Sequence, residues 1–131
     1  MKKMLLTVLV LAGLSAAALA QGGTTMRLRP GQQKTAGRGE IYVKLISVDE
    51  DSRCPPKAMC VWVGNAKVKV KIGFKGGDSK IVYMNTNMGP KGEQIGGWAI
   101  NLTDLTPVQR VDDKKAQRRY IATFEVSRLT R

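Results

Sequence analysis

Histidine is absent from this chain, and with it go the commonest general base at neutral pH and the commonest ligand for transition metals. Cysteine is limited to Cys54 and Cys60, so a thiolate metal site would lack further soft ligands. Carboxylates are scarce, ten against twenty-two lysines and arginines, which leaves little material for paired acid–base work. They cluster only at Asp49-Glu50-Asp51 and Asp112-Asp113. Asp49 and Asp51 could share a calcium ion with backbone carbonyls, but the EF-hand spacing is missing. A solvated loop, or a partner for Arg53, accounts for the run better. These absences argue for a protein that is not an enzyme and holds neither metal nor cofactor. Aromatics make up 5% of the chain, and none is interleaved with the basic residues as a stacking platform. Sequence-specific nucleic-acid recognition therefore has no support.

Long apolar runs are also lacking after the first twenty residues. Lys2 and Lys3 precede the apolar stretch Met4 to Leu14, and Ala18-Leu19-Ala20 has the form of a cleavage site. Residues 1–20 thus read as a signal peptide removed after Ala20, with residues 21–131 as a single β domain. The alternative, an uncleaved anchor, needs about 20 apolar residues, whereas small residues dominate from Ser15. The Met-Lys-Lys start points to bacterial export, to the periplasm or the medium, with no transmembrane anchor after cleavage. That compartment is oxidising, so a Cys54–Cys60 disulfide is expected. Its short loop limits the stabilisation to about 2 kcal/mol in the chain-entropy model.

From Thr24 onward the hydrophobic spacing is that of strands. Candidates are Thr24 to Arg29, Gln32 to Ala36, Glu40 to Val48, Lys80 to Thr86, Gln94 to Thr103 and Arg119 to Arg128. In Glu40 to Val48, Ile41, Val43 and Leu45 share one face while Tyr42, Ile46 and Val48 share the other, as in a strand covered on both sides. Val61 to Phe74 carries the cleanest alternation: Val68, Val70, Ile72 and Phe74 against Lys67, Lys69, Lys71 and Lys75. Gly64-Asn65 interrupts it, and Gly76-Gly77-Asp78 turns it into the next strand. Residues 106–118 read as a long connection. About six or seven strands without an amphipathic helix make an all-β, antiparallel, immunoglobulin-like sandwich, with a small barrel as the alternative.

Two features are candidates for binding. Lys67, Lys69, Lys71 and Lys75 share one strand face, alternate lysines standing about 7 Å apart, near the spacing of phosphates on a nucleic-acid chain, which suits an anionic envelope polymer. The plain reading is that an exposed sheet face needs polar residues. The second is Pro55-Pro56-Lys57-Ala58-Met59, a stiff loop closed by the cysteines. Such a loop suits a protein partner, or a serine protease inhibited through Lys57. Trp62 and Trp98 are expected in the core.

Asp51-Ser52-Arg53-Cys54-Pro55, then Cys60-Val61-Trp62-Val63-Gly64-Asn65-Ala66 and an alternating strand, resembles a recurrent pattern in small exported bacterial proteins of unknown function. The likeness runs from about Met26 to Arg128. It implies export, β structure and the Cys54–Cys60 bridge, and supplies no activity.

Overall fold

The computed structural model describes residues 23–111 and 114–129. The expected signal segment, and Asp112 and Asp113, lie outside the described residues. The strands are β1 (Thr24–Leu28), β2 (Gln33–Ala36), β3 (Ile41–Asp51), β4 (Ala66–Phe74), β5 (Ser79–Asn85), β6 (Gly92–Ile95), β7 (Trp98–Thr106) and β8 (Ile121–Arg128), with a short helix, α1 (Lys114–Arg119). They form two four-stranded antiparallel sheets, β2-β3-β4-β5 and β1-β8-β7-β6. Among the described residues no hydrogen-bonded ladder joins the sheets into a closed barrel, and the expected sandwich is what forms. Its connections run between sequence neighbours, with β1 closing against β8, in place of the Greek-key return of immunoglobulin domains.

Alternation in β4 makes the centre of one sheet. Val68, Val70 and Ile72 point inward and are fully buried, while the lysines between them face out. Opposite them lie Ile100, Leu102, Ala122, Phe124 and Val126 of β7 and β8, with Trp98 closing one end of the core and Tyr120 the other. Burial of these side chains is the main favourable term in a domain of this size.

Two bulges correct the expected faces. In β3 the register slips between Leu45 and Ser47, so Ile46 and Ser47 together oppose one residue, Lys69. Val48 thereby returns to the core face with Leu45, while Tyr42, Lys44 and Ile46 stay half-exposed. The strand is therefore covered on one side only. A second slip, between Leu102 and Asp104 of β7, brings Leu105 back into the core in the same way.

The expected strand Gln94 to Thr103 is two strands, β6 and β7, joined by a tight turn at Gly96-Gly97. The connection before β8 contains α1, whose six residues carry too little helical period to be seen in the sequence. Gln117 of α1 substitutes for a strand partner: its side chain accepts from the Val48 amide at 3.0 Å and donates to the Val48 carbonyl at 2.8 Å. Because successive strands reverse direction, the long connections 52–65, 86–91 and 107–120 all fall at the same end of the sandwich.

Candidate functional site

At that end Asp51 gathers the loops. Its carboxylate is fully buried and meets the 11% exposed Arg53 at 2.8 Å through a two-pronged contact. It also accepts from the Tyr120 hydroxyl at 2.9 Å and the Gln109 amide at 3.3 Å. Arg53 continues outward to the carbonyls of Leu105 and Pro107. One ion pair thus ties β3, the cysteine segment and the connection from β7 to β8. The acidic run read from the sequence is split by this arrangement: Asp51 is engaged, while Asp49 and Glu50 stay exposed.

Burial alone would push the Asp51 carboxyl up. Hydrogen bonds from Arg53 and Tyr120, with the Arg53 charge, outweigh burial and hold it below the ordinary 3.8. Burial, and then the neighbouring Asp51 carboxylate, raise the Tyr120 phenol well above its ordinary 10.0. A depressed acid stabilises the fold above its unfolded value and loses that contribution as pH falls through its folded value. A raised phenol stabilises the fold below its unfolded value and loses that contribution as pH rises toward its folded one. Stability should therefore be level from about pH 5 to about pH 9 and decline on both sides. Denaturant midpoints measured across that range and beyond both of its ends check this. Asp51→Asn should flatten the acid decline and Tyr120→Phe the alkaline one; an alkaline decline unchanged in Tyr120→Phe would refute the assignment.

The cysteine loop rises from this base. Cys54 and Cys60 are bridged, their Cα atoms 5.9 Å apart, and the bridge is compatible with an oxidising compartment. Among the described residues no helix is long and apolar enough to cross a membrane. Pro55-Pro56-Lys57-Ala58 makes a tight turn in which the Ala58 amide donates to the Pro55 carbonyl at 3.2 Å and Lys57 has φ 70°. Proline second and positive φ third mark a type II turn, whose third position ordinarily takes glycine or asparagine. Beyond the bridge the expected strand Val61-Trp62-Val63 does not form, and Trp62 is not in the core. Val61 is 94%, Trp62 67% and Val63 70% exposed, beside a fully exposed Met59. Trp98, by contrast, is buried as expected, with Arg128 stacked on its ring at 4.8 Å. Met88, also exposed, stands on the adjoining 86–91 loop. Asn65 fixes that loop by accepting from the amides of Asn87 (3.0 Å) and Met88 (2.9 Å) and donating to Asn85 at 2.9 Å.

The lysine row lies on the flank. Lys67, Lys69 and Lys71 project from the outer face of β4, whereas Lys75 sits in the turn beyond the strand. Lys67 is drawn aside by Glu50 at 3.7 Å and lies 6.0 Å from the Tyr83 ring centre. Lys69 pairs across to Ser47 and Tyr83, and Lys71 to Lys44 and Ile81. Tyr42, opposite Gly73, lays its ring over the glycine so closely that a Cβ there would overlap the ring. The strip around Lys44, Lys69 and Lys71 is thus flanked by two tyrosines, with the exposed Asp49 carboxylate at its edge, hydrogen-bonded to Ser47. Lys44, Tyr42 and Tyr83 were not legible as parts of this face, because strand register decides their company. The signal that could have found them is outward parity in β3 and β5 once the hairpins are aligned.

No family model, curated protein or solved structure matches the chain.

Proposed function

We propose that this is an exported, non-enzymatic binding module of the bacterial envelope, which takes anionic polymers on its lysine and tyrosine face. The observation that carries the reading is the cluster of Lys44, Lys69 and Lys71 between Tyr42 and Tyr83, with Asp49 only at its edge. Lys44 and Lys71 are direct cross-strand partners, and like charges so placed oppose sheet formation. A polyanion laid across the strip relieves that repulsion, gains counterion release and finds two tyrosine rings against which a sugar or other flat group can pack.

Titration with lipopolysaccharide, polyglycerol phosphate and single-stranded DNA at several salt concentrations tests it. Affinity should fall steeply with salt. The double variant Lys69→Glu/Lys71→Glu should bind at least about tenfold more weakly and with a shallower salt slope. Absence of binding at low salt, or a slope unaltered in the variant, overturns the reading. The alternative of a serine-protease inhibitor presenting Lys57 has less in its favour. A protease cleft holds its target segment extended, whereas Lys57 occupies a left-handed turn position.

A further inference from the structure

The residues of the cysteine segment divide into two groups. Asp51, Ser52, Arg53, Gly64 and Asn65 all have internal partners or close contacts that account for them. The side chains of Met59, Val61, Trp62, Val63 and Met88 instead stand out into solvent on two adjoining loops, Val63 and Met88 being held through their backbones. Large apolar side chains exposed together usually mark a surface that is covered in use. This crest is held up by its frame. The Ser52 amide donates to Asn65 at 2.8 Å, the Cys54 amide to Val63 at 3.3 Å, and the bridge closes the tip. The loop therefore cannot fold down to bury its own tryptophan, and little ordering remains to be done on binding.

The charges around the crest select its occupant. Lys57 lies within the bridged loop, Lys91 ends the neighbouring loop, and Arg110, Lys114, Lys115 and Arg118 lie on the third connection, all exposed. Of the carboxylates at this end, Asp51 is engaged by Arg53 and Glu50 by Lys67. Asp49 and Asp104 remain on the strand ends, and Asp112 and Asp113 lie outside the described residues. An apolar tip bearing tryptophan, on an end whose loops carry mostly cations, matches the layered chemistry of an anionic bilayer, with headgroups outside and hydrocarbon beneath.

We propose that this end of the sandwich docks on an anionic lipid bilayer. Trp62, Met59 and Val61 enter the interface and Lys57 remains at headgroup level. The proposal is independent of the lysine flank, because β4 starts at Ala66, just past the crest, and carries its lysines away from it along the strand.

Purified protein mixed with vesicles of phosphatidylglycerol and phosphatidylethanolamine, with phosphatidylcholine vesicles as control, tests it by sedimentation and tryptophan emission. Trp98 is buried, so a change in emission reports Trp62. Expected are binding to the anionic vesicles, a blue shift, and quenching by brominated lipid. Trp62→Ser/Met59→Ser should weaken binding at least about tenfold, and Lys69→Glu/Lys71→Glu should leave the blue shift in place. Equal binding by the crest variant, an unshifted emission on bound vesicles, no binding to anionic vesicles, or a soluble protein occupying the crest would each overturn the proposal.

Discussion

Arg53→Ala is expected to cost about 3–5 kcal/mol of unfolding free energy, a large part of the 5–15 kcal/mol that ordinarily holds a domain of this size. The loss comes less from the attraction removed than from what is left behind. Asp51 would keep a fully buried carboxylate faced by the Tyr120 hydroxyl and the backbone amides of residues 53 and 109 but by no cation, and the Leu105 and Pro107 carbonyls would lose a donor. Arg53→Lys should fall between, since it restores charge without the two-pronged geometry. Asp51→Asn should also cost less than Arg53→Ala, because an amide can still accept from Tyr120 and strands no buried anion. Guanidinium unfolding of the three variants checks the order. A loss under about 1 kcal/mol for Arg53→Ala would mean that the pair behaves as a surface contact and that the loops are held by something else.

Local periodicity was enough for the architecture and failed wherever a distant residue decides. The Val68-Val70-Ile72 alternation in β4, and Tyr120, Ala122, Phe124 and Val126 before and along β8, could be read directly as core. Val48 could not, because the bulge that returns it to the core is a property of the pair of strands. Trp62 misled for another reason. Its composition and its valine neighbours are those of a strand, but a six-residue disulfide spacing and the clamp at Asp51 hold the segment off the sheet. The clamp itself brings together residues 69 positions apart, Asp51 and Tyr120, and no local pattern announces that. The row of lysines was visible, yet its tyrosine flanks depended on the pairing of β4 with β3 and β5.

Gly64→Ala carries the second large expected effect, because two separate penalties fall on one methyl group. Gly64 has φ 75°, where alanine is disfavoured by about 1–2 kcal/mol. Its Cβ would also overlap the Ser52 carbonyl oxygen and lie 2.9 Å from the Arg53 Cα, both backbone atoms that cannot rotate away. Relief requires the strands on either side of the cysteine loop to part, at a further cost of about 1–3 kcal/mol. Gly39 provides the control. It has φ 85°, yet nothing lies within 4 Å of where a Cβ would stand, so Gly39→Ala should show the conformational penalty alone. The difference between the two variants in urea unfolding isolates the contact with Ser52. Equal losses would show that the close approach is not maintained. The same parting breaks the Ser52–Asn65 and Cys54–Val63 hydrogen bonds that hold the crest upright. Gly64→Ala should therefore lose vesicle binding although every crest side chain is intact, while polyanion binding on the lysine flank persists, since Lys69 and Lys71 sit further along β4.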